Sequence, residues 1–227
     1  LHDFVLAHLF AEWAESRRSE AEDVLKNWYD ESIARSFFAA KDHREFLDAA
    51  GRDHPMTEWI CSMAHGVISH SRWGMARVMR SCPGPVHVQP LPYDAPGADE
   101  AGAAGERAGG PMRILTVGHI NVNKRIESVI AAIGRSDTLR GKVEYQLWGL
   151  IEPSYALDLA RLARSVGVRL RIFGEVSDSR LQSALGAADI LCCLRWPSLE
   201  AASATAIEGM LYGKAVVVTD TAFYSEL

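Results

Sequence analysis

From residue 112 to residue 218 the chain alternates between short apolar runs and stretches with helical spacing. No other feature limits the fold as tightly. The apolar runs are Met112–Val117, Val143–Trp148, 168–173, 189–194 and Ala215–Val218. The helical spacings between them cover 125–135, 155–166, 177–188 and 201–212, with Ser177 as a candidate cap. A short continuous apolar run bounded by turn residues reads as a strand buried on both faces. Strands that alternate with helices across short turns return parallel to one another. The expected fold class is therefore α/β, a parallel sheet with helices on both faces. Ligands of such sheets collect at the carboxyl ends of the strands.

The first 94 residues read differently, as mostly helix with little strand. Phe4, Val5, Leu6, Leu9, Phe10 and Trp13 form one wide apolar helical face. A second helical run covers 20–41 and carries Trp28, Tyr29, Phe37 and Phe38, which are expected in a core or a groove. Shorter helices are expected over 45–50, 57–63 and 72–82, with strands over 66–71 and 86–92. Residues 95–111 contain no large apolar side chain and have the composition of a flexible linker. The expected domains are 1–94, α/β but mostly helix and incomplete, and 112–227, joined by the linker 95–111. The chain begins at Leu1 rather than Met and stops at Leu227 just past a strand, which reads as a fragment cut at both ends.

Composition excludes some roles. With 227 residues and a net charge of −5, the chain lacks the basic surplus of a nucleic-acid binder. Cys192 and Cys193 sit side by side in an apolar run, and Cys61 and Cys82 show no disulfide framework, as in a reducing cytoplasm. No run approaches the roughly 20 apolar residues of a membrane span. Peripheral membrane contact through the aromatic-rich first 60 residues is the weaker alternative to core packing. No His, Cys or Asp spacing suggests a metal site.

The chemistry-bearing stretch lies near the end. Trp196-Pro197-Ser198-Leu199-Glu200 leads into the helical run 201–212, with Ser203 and Thr205 at its start. Gly213 stands where a left-handed cap would end that helix, before the strand Ala215–Val218. Glu200 falls in the loop and Glu208 about two helical turns later. A carboxylate can accept hydrogen bonds from two neighbouring hydroxyls, which suits the diols of ribose and hexose.

This stretch resembles the glutamate–seven residues–glutamate signature of the family 4 retaining glycosyltransferases. The resemblance implies the GT-B fold of two Rossmann-like domains and a nucleotide-diphosphate sugar as donor. Glu208 would hold the ribose and Glu200 the donor sugar, with Ser203 at the start of the helix between them. Val117-Gly118-His119, with Asn121 through Arg125, resembles the family's glycine–loop–lysine segment. A strand that runs through glycine into a helix amino terminus leaves N–H groups free for an anion. Lys124 would contact the diphosphate, beside Gly118. Where the family often has an arginine after the glycine this chain has His119, so the second cation is either Arg125, another residue or absent. The segment Arg171 through Ser177 would hold the base, with Phe173 and Val176 at the strand end. His2 resembles the family's histidine near the reacting sugar; His65 and His70 are further candidates. The catalytic set is thus Glu200, Lys124 and His2. The donor-binding set is Gly118, Lys124, Arg125, Phe173, Val176, Glu200, Ser203 and Glu208. No metal or other cofactor is expected. The implied function is transfer of a hexose, with retention, to a glycan, lipid or small-molecule acceptor held on the first domain. The alternative is a non-catalytic nucleotide-sugar-binding or scaffold protein on the same fold. A nicotinamide enzyme is disfavoured, because no Gly-x-Gly-x-x-Gly turn follows either first strand.

Overall fold

A computed structural model describes residues 1–94 and 109–227. Most of the expected linker, 95–108, lies outside the described residues. Contacts divide the chain into two units. The first is Leu1–Leu91 with Pro197–Ala202 and Asp220–Leu227; the second is Pro92–Trp196 with Ser203–Thr219. The stretch expected as one domain over 112–227 is thus interrupted twice, because those two short segments make their contacts with the beginning of the chain.

The first unit carries α1 (Ala7–Glu15), α2 (Arg18–Trp28), α3 (Glu31–Ala39), α4 (Arg44–Ala50), α5 (Thr57–Ser62) and α6 (Met75–Ser81). Its two strands, β1 (Val67–Ser69) and β2 (Val86–Val88), pair in parallel. The single helix expected over 20–41 is two helices. Asp30 ends the first and starts the second, its carboxylate accepting from the Ile33 N–H at 2.9 Å. Such a cap satisfies an amide that has no helical partner. The strand expected over 86–92 pairs only to Val88, since Pro90 and Pro92 have no N–H to continue the ladder. Of the aromatics expected there, Phe37 is buried in a core, and Tyr29 and Phe38 are partly buried against it. Phe10, Phe37 and Phe46 are buried and pack with Trp13 and Trp59.

The second unit is a five-stranded parallel sheet in the order β5-β4-β3-β6-β7. The strands are β3 (Met112–Val117), β4 (Val143–Trp148), β5 (Arg169–Gly174), β6 (Ile190–Cys193) and β7 (Ala215–Val218). The helices are α7 (Ile126–Arg135), α8 (Pro153–Ser165), α9 (Asp178–Ala187) and α10 (Ala204–Leu211). Every expected strand is present and every pairing is parallel. β3 lies in the middle, with Met112–Val117 opposite Val143–Trp148 on one side and Ile114 and Leu115 opposite Ile190 and Leu191 on the other. Leu115, Tyr145, Leu147 and Leu191 are fully buried. Tyr145 keeps its hydroxyl within 2.9 Å of Thr116 Oγ1, so the one phenol in this core is satisfied. All four cysteines are buried and none of them is in a disulfide; for Cys192 and Cys193 the apolar run suggested burial.

Removal of a side chain from this sheet leaves a cavity that close-packed neighbours fill only in part. Leu147→Ala is expected to cost about 2–5 kcal/mol in urea denaturation, whereas exposed Leu157→Ala stays within about 0.5 kcal/mol of the parent.

Candidate functional site

In the second unit the chain changes direction around β3. It runs outward through β4 to β5, then returns to place β6 on the other side of β3. The crevice at such a reversal, beyond the carboxyl ends of the strands, is where open α/β sheets bind ligands. β3 ends at Val117, and Gly118 turns the chain with a φ of +92°. This turn needs glycine. At neighbouring Gly149 a Cβ would lie 2.2 Å from the Gly118 carbonyl oxygen, so the two glycines let adjacent loops approach closely.

Asn121 then opens a short 3-10 turn, Val122–Lys124, its side chain accepting from the Asn123 N–H at 3.1 Å. Arg125 has a φ of +55°, and α7 begins one residue later than expected. The turn folds Lys124 inward. It is only 4% exposed, and its ammonium donates to the Val117 carbonyl at 2.6 Å. A Cβ on Gly118 would lie 3.3 Å from that ammonium. Lys124 is therefore not the solvated surface charge that a Lys-Arg pair usually is, whereas Arg125 is exposed.

The loop after β6 is tied to this turn. Trp196 N–H donates to the Asn123 carbonyl at 2.8 Å, and Arg195 N–H donates to Thr219 Oγ1 at 3.1 Å. Arg195 is 9% exposed, and the sequence reading missed it. Its only signal there was an arginine just past an apolar run.

α10 starts at Ala204, not at residue 201, because Ser203 takes the cap and accepts from the Ala206 N–H. The Ser203 hydroxyl is buried and engaged in that bond. Glu208 sits on the second turn, half-buried, and burial pushes its carboxyl above the usual range. Gly213 closes the helix with a φ of +66°, the left-handed cap the sequence suggested.

Farther along the same edge, the β4–β5 register skips Phe173: Leu147 faces Ile172 while Trp148 faces Gly174. The irregularity leaves the Phe173 ring stacked on Trp148 at 3.9 Å and 14°. The Arg171 guanidinium lies 4.8 Å from the Phe173 ring, and that of Arg180 5.7 Å from Trp148. Val176 follows, partly buried, in the loop before α9. Trp148 and Arg180 were not legible as neighbours of Phe173, since they lie on another strand and on a helix. Ser177 occupies the cap position of α9 but makes no side-chain bond to its backbone.

In the first unit, His2 and Glu200 come together through the backbone. Asp3 and Glu200 form an antiparallel bridge, and Ala201 N–H donates to the His2 carbonyl at 2.9 Å. Phe4 and Val5 N–H both donate to the Leu199 carbonyl, at 2.9 and 3.0 Å. The strand is held from its other side, where Leu6 N–H donates to the Pro55 carbonyl and the buried Thr57 hydroxyl to the Phe4 carbonyl. The His2 ring is largely exposed, with Nδ1 3.1 Å from Asp3 Oδ1. Of the other histidines considered, His70 is committed elsewhere: Nδ1 donates to the Gln89 carbonyl at 2.9 Å. His65 is exposed, between α5 and β1. Among the described residues no three His, Cys, Asp or Glu side chains gather as metal ligands would.

A parallel sheet with helices between its strands and an order reversal at β3 makes the second unit Rossmann-like. Residues 99–227, more than half of the chain, match the family Glycosyl transferases group 1, and the chain belongs to that family. No curated protein matches it. Solved structures do. One is Anabaena HepE in complex with UDP-glucose, at 18% identity and a TM-score of 0.56, covering 80% of this chain and 50% of that one. Another is WaaG, a glycosyltransferase involved in lipopolysaccharide biosynthesis, at 19% identity and 0.58, covering 85% and 55%. A third is a glycosyltransferase from Rickettsia africae ESF-5, at 15% and 0.57, covering 82% and 50%. At these identities the likeness is one of fold. The chain spans about half the length of these structures. No helix among the described residues is long and apolar enough to cross a membrane.

The backbone stitch in the first unit gives a direct test. Thr57→Val leaves the buried Phe4 carbonyl without its hydroxyl donor and is expected to cost about 1–3 kcal/mol in urea denaturation, with Thr57→Ser recovering most of it.

Proposed function

We propose that the full-length protein is a family 4 retaining glycosyltransferase that moves a sugar from a nucleotide-diphosphate donor to a glycan, lipid or small-molecule acceptor. One observation carries this reading above the others. Lys124 is a cation held buried by backbone at the carboxyl end of the central strand, where the sheet order reverses. A fixed ammonium beside a glycine turn is suited to the charge that develops on a departing diphosphate, because it needs no reorganisation as the bond breaks.

The remaining roles follow from chemistry. Glu208, half-buried on α10, accepts the ribose hydroxyls. Glu200 accepts hydroxyls of the donor sugar. Gly118 and Arg125 flank the phosphates, and Phe173 and Val176 line the place of the base. His2 assists at the reacting sugar. Ser203 acts through the helix it caps. No metal enters this proposal; Lys124 is assigned to the leaving diphosphate. UDP-glucose is bound by one of the structures similar in fold, which makes uridine the first base to test.

A thermal-shift screen of UDP, GDP and ADP tests the reading. A ligand at about 100 times its dissociation constant stabilises the folded state by roughly 2.7 kcal/mol. One nucleotide is expected to shift the parent, and Glu208→Ala is expected to abolish the shift. Glu200→Ala is expected to keep the nucleotide shift but to weaken binding of the intact sugar donor. Lys124→Ala is expected to lose most in turnover. Equal donor affinity in all three variants contradicts these roles.

The pH dependence has a definite sign. Burial raises the Glu208 pKa in the free protein, and hydroxyl donors favour the ionised carboxylate. Binding therefore releases a proton, and affinity falls as pH drops through the raised pKa. Glu208→Gln is expected to flatten that acid limb in calorimetric titrations between about pH 4 and 7.

A further inference from the structure

Resting on the donor reading above, we propose that Arg195 is the second cation for the diphosphate. A nucleoside diphosphate carries more than one negative charge, and Lys124 supplies one positive charge. Arg125, the obvious second candidate, is exposed and lies in a left-handed turn at the start of α7. Arg195 stands two residues beyond Cys193, the last residue of β6, and β6 is the strand paired with β3 across the order reversal. Two buried cations thus occupy the carboxyl ends of the two strands that bound the ligand crevice of this unit.

The backbone fixes the two together. The amide next to Arg195, that of Trp196, donates to the carbonyl of Asn123, the residue before Lys124. The Arg195 amide is held by Thr219 Oγ1, beyond the end of β7. One guanidinium N–H donates to the Leu194 carbonyl at 3.0 Å. The planar guanidinium fork matches two phosphate oxygens at once, which an ammonium cannot do. Lys124 then serves as a point charge and Arg195 as the geometric clamp.

A loop staple and a phosphate clamp make different predictions. Isothermal titration compares whichever of UDP, GDP or ADP binds the full-length protein with its monophosphate, in the parent and in Arg195→Met. The expected result is a loss of about tenfold or more for the diphosphate and of less than roughly threefold for the monophosphate. Equal losses for the two ligands in a folded variant, or no loss, overturn the proposal. Arg195→Lys keeps a buried charge and serves where the methionine variant does not fold. It is expected to lower the preference for diphosphate over monophosphate by roughly threefold, and an unchanged preference counts against the clamp. Failure of the underlying donor reading shows separately: no nucleoside diphosphate then binds the parent protein at all. Binding with a preference independent of Arg195 leaves that reading standing and removes only the clamp.

Discussion

β3 is paired on both sides, to β4 and to β6, and both pairings are parallel. A parallel neighbour cannot be reached by a tight hairpin, so each must be reached through a helix crossing the sheet face. The crossover after β3 leads to β4 and the crossover after β6 leads to β7, so the two leave neighbouring strands in opposite directions. Their loops separate at the carboxyl ends of β3 and β6 and open a crevice that no side chain needs to create. Gly118 lets the chain turn there, the 3-10 turn folds Lys124 inward, and the hydrogen bond from Trp196 to Asn123 sets the β6 loop against it. Gly118 is needed for its φ of +92°, and Gly149 because a Cβ there would lie 2.2 Å from the Gly118 carbonyl oxygen.

In the first unit the equivalent constraint is made of backbone alone. The first residues of the chain and residues 199–201 exchange amide and carbonyl bonds, although almost the whole sequence lies between them. Such bonds carry no side-chain signature, and they fix the backbone around Glu200. Thr57 and Pro55 brace the same strand from behind. Gly74 makes room for it: a Cβ there would lie 2.0 Å from the Phe4 ring.

What the sequence disclosed and what it hid divide along physical lines. The five strands of the second unit were legible because buried parallel strands are continuous apolar runs, and the caps at Ser203 and Gly213 because capping is local. Residues 20–41 misled because the break at Asp30 is only one good capping residue inside a periodic pattern. Tyr29 also turns out of the helix toward partners far along the chain, its hydroxyl donating to Glu58 and accepting from the Met56 N–H. Lys124 was legible as a candidate, but its burial was not, since that depends on a turn type that several sequences share. Arg195 and the Trp148–Phe173 stack depend on which strands become neighbours, and periodicity does not report that order. Pro197–Ala202 joins the first unit for the same reason: its partners are distant main-chain groups.

The central claim is that a nucleoside diphosphate binds at the carboxyl ends of β3 and β6 in the second unit. Amide hydrogen exchange with and without UDP, GDP or ADP tests it most directly. The account predicts slowed exchange in three short segments for the nucleotide that binds: 117–124 after β3, 194–196 after β6, and 204–207 at the start of α10. A nucleotide that binds while those segments exchange as before, with protection confined to other parts of the chain, contradicts it.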